Sequence, residues 1–140
     1  IRASKLAIET NYVFQYPFAA TPCFLLRLPR PAAGHAALRR EDATVEAELT
    51  DTGCWFVTLD GASRMAVWPA GTVQSRSDAS RVVLPGGAEV VDGDQLDVSA
   101  AVFPVTSLVG YPDGYWGTQL VFCDPKGTEV LVMDSAIVRS

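Results

Sequence analysis

The sequence predicts an all-β fold, either a small antiparallel β-barrel or a two-sheet β-sandwich of about 8–10 short strands. Apolar and polar residues alternate along several short stretches, which is the pattern of strands with one buried face. Turn-forming Gly, Pro and Asp residues separate these stretches at intervals of about 8–12 residues. Hydrophobic residues make up 49% of the 140-residue chain, which is enough for the core of one domain.

The N-terminal stretch predicts a pair of strands. Residues 5–16 alternate, with mostly apolar or aromatic side chains at the even positions. Residues 23–28 (CFLLRL) form the second strand, which Pro29 ends because it cannot donate a ladder hydrogen bond. We expect a single domain over residues 1–140. In an alternative arrangement, the strand pair of residues 1–31 packs on a barrel formed by residues 43–140.

This N-terminal stretch resembles a known family. Thr10, Tyr12, Phe14 and Pro17, followed by LLRLPR at residues 25–30, resemble the opening of the N-terminal β domain of bacterial transglutaminase-like proteins. The resemblance covers residues 10–30 and implies β structure there. The catalytic Cys, His and Asp of that family belong to a separate domain, so the resemblance implies no activity for this chain.

A β-hairpin is predicted at the centre of the chain. Two apolar runs, residues 54–59 and 65–68, flank Asp60-Gly61-Ala62-Ser63, and Asp-Gly supplies the positive φ of a tight reversal. We expect a four-residue loop and a second strand ended by Pro69. Before the hairpin, residues 32–42 predict a helical turn and residues 43–50 alternate as a strand.

The remaining β segments are predicted from turn residues. Residues 81–91 form a hairpin around Pro85-Gly86-Gly87, and residues 95–102 alternate as a strand. Residues 118–123 and 128–133 form a final hairpin through the turn at residues 124–127. The loop of residues 74–80 is polar, and we expect no core residue in it.

Residues 53–97 resemble a second family. A strand bearing Gly-Cys, then V-W-P-x-G-T, then a turn with Gly-Asp, is similar to small OB-like β-barrel modules of bacterial exported proteins. The residues that carry the resemblance are Gly53, Cys54, Val67, Trp68, Pro69, Gly71, Thr72, Gly93 and Asp94. The resemblance implies a barrel and favours an exported or cell-surface location.

Charge and hydropathy exclude some partners. The net charge is −5, which disfavours nucleic acid as a partner, because Lys/Arg contacts to phosphate dominate that affinity. The charge is uneven: residues 1–40 hold six Lys/Arg against one acidic residue, whereas residues 41–140 hold five against fifteen. No apolar run approaches the roughly 20 residues of a membrane helix. The chain begins with Ile1, which indicates a trimmed or processed protein.

The cysteines leave two alternatives open. Cys23, Cys54 and Cys123 lie in apolar runs, which favours buried thiols. A Cys54–Cys123 disulfide in an oxidising compartment is the other alternative. Without C-x-x-C spacing and with a single histidine, we expect no metal site. No phosphate-binding glycine pattern is present, so we expect no cofactor.

The strongest candidate site is the aromatic loop, defined as residues 110–117 (GYPDGYWG). Tyr111, Asp113, Tyr115 and Trp116 are the predicted binding residues, because aromatic rings on loops give large contact area at low entropic cost. Alternatively, Tyr115 and Trp116 fold back and plug one end of the barrel. Asp92, Asp94 and Asp97 are interpreted as turn carboxylates, since their spacing does not match a calcium loop.

These observations predict a non-catalytic binding or assembly module. It would engage a protein or a glycan through the aromatic loop and sheet edges, and self-association into a homo-oligomer is a further alternative. A small hydrolase with a carboxylate or Cys54/His35 centre is the competing hypothesis. The third hypothesis is a structural subunit of a capsid or cell-surface assembly.

Overall fold

A computed structural model describes residues 6–13, 23–29, 40–78, 80–109, 111 and 120–139. These residues form an all-β fold, and the barrel alternative of the sequence-based prediction is confirmed. The strands are β1 (Glu9–Val13), β2 (Cys23–Arg27), β3 (Glu41–Leu49), β4 (Trp55–Leu59), β5 (Ala62–Val67), β6 (Val73–Gln74), β7 (Val82–Val83), β8 (Glu89–Val90), β9 (Gln95–Pro104) and β10 (Glu129–Val138). A 3-10 turn follows β9 at Val105–Ser107.

Five strands close into a barrel in the order β10-β5-β4-β3-β9. Strands β3, β4 and β5 form an antiparallel meander, and β9 returns to lie beside β3, which is a Greek-key arrangement. Strand β10 completes the barrel, antiparallel to β9 and parallel to β5. The other described strands form two small sheets, β1-β2 and β6-β7-β8.

The central hairpin is tighter than the sequence predicts. Asp60 and Gly61 have φ values of 51° and 80°, the positive pair that a two-residue type I′ turn requires. Ala62 and Ser63 pair with Leu59 and Thr58, so they extend β5. The predicted four-residue loop is therefore wrong, because the Asp-Gly pair completes the reversal by itself.

The end of β5 is where the barrel meets the β1-β2 sheet. Trp68 donates its backbone N–H to the Leu26 carbonyl at 2.8 Å and accepts from the Leu28 N–H at 2.9 Å. Nearby, Arg27 donates from Nε to Glu9 Oε1 at 2.7 Å and from Nη1 to the Thr72 carbonyl at 2.7 Å. The small sheet is thus joined to the barrel through backbone and side-chain hydrogen bonds.

Two apolar clusters lie on opposite faces of the barrel wall. The inner cluster draws on all five barrel strands and includes Val45, Trp55, Ala66, Leu96, Leu131 and Met133. The outer cluster lies on the other face of β5 and β10 and includes Met65, Val67, Val130 and Val132, covered by Leu6, Leu26, Leu28, Leu108 and Leu120. Strands β5 and β10 are buried on both faces, which explains their continuous apolar runs.

The β6-β7-β8 sheet contributes Val82 and Val90 to the inner cluster, and Leu84, which directly follows β7, also packs there. Gln74 and Ser75 are buried, so the expectation of no core residue in the loop of residues 74–80 is wrong. Pairing of β6 with β7 draws these polar residues inward, because Gln74 is opposite the fully buried Val82.

One further local prediction is wrong, and a second is wrong at residues 41 and 42. Residues 120–123 are helical rather than a strand, and the Asp124 N–H donates to the Leu120 carbonyl at 2.9 Å. Leu120 and Cys123, three residues apart, face the outer cluster, which is the spacing of a helical turn. Glu41 and Asp42 begin β3, and the rest of the predicted helical turn at residues 32–42 lies outside the described residues, apart from Arg40. No described helix is long and apolar enough to cross a membrane.

Candidate functional site

The structure describes one of the four predicted binding residues. Tyr111 is half-buried and packs against the outer cluster, and its backbone N–H donates to the Leu108 carbonyl at 3.3 Å. Asp113, Tyr115 and Trp116 lie outside the described residues, so their role as binding residues or as a plug stays a prediction.

The segment before the aromatic loop is bound to the N-terminal region. Leu6 and Leu108 form a parallel β-bridge, in which the Leu6 N–H donates to the Ser107 carbonyl and the Val109 N–H donates to the Leu6 carbonyl, both at 2.9 Å. The Leu108 side chain is fully buried in the outer cluster. This end of the loop therefore has a fixed position on the barrel wall.

The segment after the aromatic loop is attached covalently. Cys123 forms a disulfide with Cys54, which directly precedes β4 and lies 69 residues earlier in the sequence. The disulfide alternative of the sequence analysis is thus the one that forms, and the expectation of free thiols is wrong for this pair. Cys54 is also held locally, because its backbone N–H donates to Thr50 Oγ1 at 3.1 Å and its sulfur lies 3.5 Å from Thr52 Oγ1.

Apolar side chains next to both anchors face solvent. Phe122 is 62% exposed and Val109 is 47% exposed, and Val121 is exposed as well. Val109 and Val121 are next in sequence to Leu108 and Leu120, which are buried in the outer cluster, and Phe122 precedes the partly buried Cys123. The sequence-based prediction missed Phe122 because it expected a strand at residues 118–123. The helical spacing of Leu120 and Cys123 is the signal that would have placed Phe122 on the solvent side.

The turn that leads from the disulfide to β10 is tight. The Gly127 N–H donates to the Asp124 carbonyl at 3.0 Å, and a Cβ at position 127 would collide with the Asp124 carboxyl group. Partial burial raises the pKa of Asp124 above its ordinary value. The predicted turn at residues 124–127 is confirmed, and the Asp124 carboxyl group lies where a side chain at position 127 would begin.

The three carboxylates predicted in turns are used by the fold, but Asp97 lies within β9, so its assignment to a turn is wrong. Asp92 accepts a hydrogen bond from the Leu49 N–H at 2.8 Å, and Asp94 accepts one from the Val91 N–H at 2.9 Å. Asp97 accepts from Thr44 Oγ1 at 2.9 Å and lies 3.7 Å from Arg139. Within the described part of the chain, no group of three or more His, Cys, Asp and Glu residues is arranged to hold a metal ion.

The proposed thiol nucleophile is also excluded. Cys54 is bonded to Cys123, and a disulfide sulfur has no thiolate to attack a substrate. His35, the expected base, lies outside the described residues. The Cys54/His35 version of the hydrolase hypothesis is therefore wrong.

A shallow groove of about 420 Å³ lies on the outer face of β3, β9 and β10. Its rows follow the strand register: Asp42, Ser99 and Ser135 form one row, and Thr44, Asp97 and Ile137 form the next. Hydrogen bonding of Thr44 to Asp97 occupies polar groups that a ligand would need. We interpret this face as a solvated surface of the sheet.

No family model, no curated protein and no solved structure matches this chain.

Proposed function

We propose that this chain is a non-catalytic binding module whose contact surface is the aromatic loop together with Val109, Val121 and Phe122. The observation that carries the proposal is the double anchoring of the loop. One end is held by the Leu6–Leu108 bridge and the other by the Cys54–Cys123 disulfide. Between these anchors the sequence places Tyr111, Tyr115 and Trp116, residue types that dominate binding energy at protein interfaces.

Fixed loop ends favour binding for an entropic reason. A loop that is ordered only on contact loses conformational freedom at that moment, which reduces the net affinity. The bridge and the disulfide restrict the ends of the loop before any partner arrives. The exposed Phe122 ring adds apolar area directly beside the disulfide.

The barrel architecture gives independent support by analogy. A five-stranded Greek-key barrel is the architecture of OB-folds, whose ligands contact the loops between strands 1 and 2 and between strands 4 and 5. In this chain the corresponding connections are residues 50–54, between β3 and β4, and residues 105–128, between β9 and β10, and the Cys54–Cys123 disulfide joins them. The resemblance to OB-like modules is part of the proposal, and so is the exported or cell-surface location, where disulfides persist.

A protein fits this surface better than a glycan does. The described residues that flank the loop expose apolar side chains, Val109, Val121 and Phe122. Apolar and aromatic side chains form the centre of protein interfaces. A glycan would require convergent hydrogen-bonding groups, and Asp113 is the one charged residue within the aromatic loop.

Closure of the barrel limits the role expected for sheet edges. Each of its five strands has a neighbour on both sides over part of its length. Edges persist in the two small sheets and where a barrel strand extends beyond its neighbour. The loop is therefore the primary surface in this proposal.

Paired substitutions test the loop. We expect Phe122→Ser and the double variant Tyr115→Ala/Trp116→Ala each to weaken capture of a protein partner at least about tenfold, since residues at interface centres carry most of the energy. Melting temperatures should stay close to that of the native protein. Partners would be identified by cross-linking and mass spectrometry, with affinity then measured by calorimetry, and a glycan array would be screened in parallel.

The matched control is Ile137→Ser, which removes an apolar side chain that is 68% exposed on a different face. It should leave binding unchanged. A large drop in melting temperature for Tyr115→Ala/Trp116→Ala would support the plug alternative instead. Retention of full affinity by Phe122→Ser and the double variant would refute the proposal, and a hit on the glycan array alone would change the partner class.

A further inference from the structure

The two cysteines of the disulfide differ in their access to solvent. Cys54 is 1% exposed and lies within the outer cluster, whereas Cys123 is partly exposed. Thiol–disulfide exchange proceeds by attack of a thiolate on one of the two sulfurs, and access decides which sulfur is attacked. The structure therefore favours attack on Cys123, with the Cys54 sulfur as the leaving group.

Two threonine hydroxyl groups form a ring of hydrogen bonds that ends on the Cys54 sulfur. The Cys54 N–H donates to Thr50 Oγ1 at 3.1 Å, Thr50 Oγ1 lies 3.1 Å from Thr52 Oγ1, and Thr52 Oγ1 lies 3.5 Å from the sulfur. A disulfide sulfur carries no hydrogen, so the Thr52 hydroxyl is the donor in the last of these contacts. Its hydrogen is then in use, and Thr50 is the donor to Thr52.

A hydroxyl donor at this sulfur is suited to a leaving thiolate. Hydrogen bonds to an ionised acceptor are stronger than those to a neutral one, so the contact with Thr52 strengthens when Cys54 becomes a thiolate. A more stable leaving thiolate departs faster.

The turn that carries these hydroxyl groups does not depend on the disulfide. The Thr50 N–H donates to the Cys54 carbonyl at 2.9 Å, and the Gly53 N–H donates to the Thr50 carbonyl at 3.0 Å. These backbone hydrogen bonds hold the turn between β3 and β4. We therefore expect Thr52 to keep its position beside the Cys54 sulfur when the S–S bond breaks.

We propose that the Cys54–Cys123 disulfide is a site of exchange with low-molecular-weight thiols, and that this exchange controls the attachment of the aromatic loop. The attacking thiolate forms an S–S bond with Cys123 as the bond to Cys54 breaks, and the electron pair of the broken bond goes to the Cys54 sulfur. A second thiol then attacks the small-molecule sulfur of the mixed disulfide and frees Cys123. Two small thiols are thereby oxidised to a disulfide, and the protein disulfide is reduced to two thiols.

The inference deepens the proposed binding function and rests on it, because the attached loop is the proposed contact surface. Cys123 follows Phe122, the most exposed aromatic side chain beside the loop. Exchange at Cys123 would thus release the second end of the loop and place a bulky group directly beside this ring.

The probe is reduced glutathione in large excess over the native protein, under non-denaturing conditions. Samples are quenched at intervals with an alkylating agent that caps free thiols, and the modified peptides are mapped by mass spectrometry. We expect glutathione on Cys123 and the alkyl group on Cys54. The rate of exchange is measured as the rate at which the protein disulfide is lost.

Thr52 offers a matched pair of variants. Thr52→Val keeps the shape of the side chain but removes the hydroxyl group, and it should slow exchange about fivefold, the effect of losing one hydrogen bond. Thr52→Ser keeps the hydroxyl group and should exchange at close to the native rate. Both variants should melt near the native temperature, because Thr52 is exposed.

Gly61→Ala separates exchange in the folded protein from exchange that requires unfolding. Gly61 lies at the opposite end of β4 from Cys54, and its positive φ makes the substitution destabilising. Exchange through the unfolded chain would become about tenfold faster in this variant. We expect the native rate instead, because Cys123 is accessible in the folded protein.

Any of four results would overturn the inference: a disulfide that stays intact, glutathione on Cys54 instead of Cys123, equal rates for Thr52→Val and Thr52→Ser, or faster exchange in Gly61→Ala. None of these measurements needs a binding partner, so such a failure would leave the loop proposal standing. The loop proposal fails separately, through Phe122→Ser. A partner that binds native protein and Cys54→Ser/Cys123→Ser equally well would refute control of binding by exchange.

Discussion

Two adjacent residues determine the geometry of the central hairpin. Asp60, with a φ of 51°, is the one described non-glycine residue with positive φ, and Gly61 follows with a φ of 80°. Positive φ is costly for a residue with a Cβ because the Cβ approaches the following carbonyl oxygen. The side chain of Asp tolerates this conformation better than most, and Gly carries no such cost.

Gly61→Ala should therefore destabilise the protein by about 1–2 kcal/mol, the cost of a left-handed conformation. A Cβ at position 61 meets no atom within 4 Å, so the loss is conformational rather than steric. Gly86→Ala, equally unobstructed but without positive φ, should be neutral or stabilising by up to about 1 kcal/mol. Urea unfolding of the two variants checks the difference, and equal stabilities would contradict the explanation.

Residue types reveal turns well and burial of polar residues poorly. Asp60-Gly61 identifies the reversal from sequence because few residue pairs accept positive φ at both positions. Gln74 and Ser75 look like loop residues, yet the structure buries them. Their burial depends on pairing with β7, which the composition of residues 74–80 does not encode.

The element that carries the proposed contact surface is the segment from Val105 to Cys123. A backbone bridge and a covalent bond fix its two ends on the outer face of β5 and β10. Reduction would break the covalent attachment of the second end, next to which Leu120 packs in the outer cluster.

The double variant Cys54→Ser/Cys123→Ser should lose about 2–4 kcal/mol of stability, the usual effect of removing a disulfide that closes a long loop. Native protein should lose a similar amount in dithiothreitol, whereas the double variant should not respond to the reagent. Calorimetric melting with and without reductant measures both effects. A native protein that melts identically under reducing conditions would show that the bond contributes little.

Most strands could be predicted at the element scale, because period-2 alternation is visible in residues 43–50 and 95–102. The helical residues 120–123 could not, since four residues are too few for either period to be distinguished. The disulfide that fixes their position also joins residues 69 apart, a pairing that three cysteines leave undetermined from sequence. The attachment of both ends of the aromatic loop to the barrel was therefore found only in the structure.

At the scale of the whole molecule, the two apolar clusters link the barrel to the small sheets. Leu25 belongs to β2, outside the barrel, yet it packs in the inner cluster with barrel residues such as Trp55. Its neighbour Leu26 packs in the outer cluster. The β1-β2 sheet therefore contributes to both clusters.

Leu25→Ala should destabilise the molecule by about 2–5 kcal/mol, the range for removing a buried leucine side chain. Because Leu25 is 1% exposed and contacts the inner cluster, near-ultraviolet dichroism and hydrogen exchange in the barrel should report one common transition. Ile137→Ala, at an exposed position of β10, should change stability by less than about 0.5 kcal/mol. Two separate transitions would instead show that residues 1–31 fold independently of the barrel.

The all-β fold class could be predicted from the sequence, but closure of the sheet into a barrel rather than a sandwich could not. Alternating strands and regular turns indicate an all-β domain, and they fit a sandwich as well as a barrel. The choice depends on β10 pairing with both β9 and β5, a contact between distant parts of the chain. The predicted site residues depend on loop conformation, for which periodicity gives no guide.

Insertion of β10 between β9 and β5 has a consequence for biosynthesis. Until residues 129–138 leave the ribosome, β5 and β9 each lack β10 as a neighbouring strand, and their apolar side chains are not covered by it. Such unpaired strands attract other chains, so a nascent polypeptide at this stage is vulnerable to aggregation. Chaperone protection would matter most in the interval just before the C-terminal strand is released.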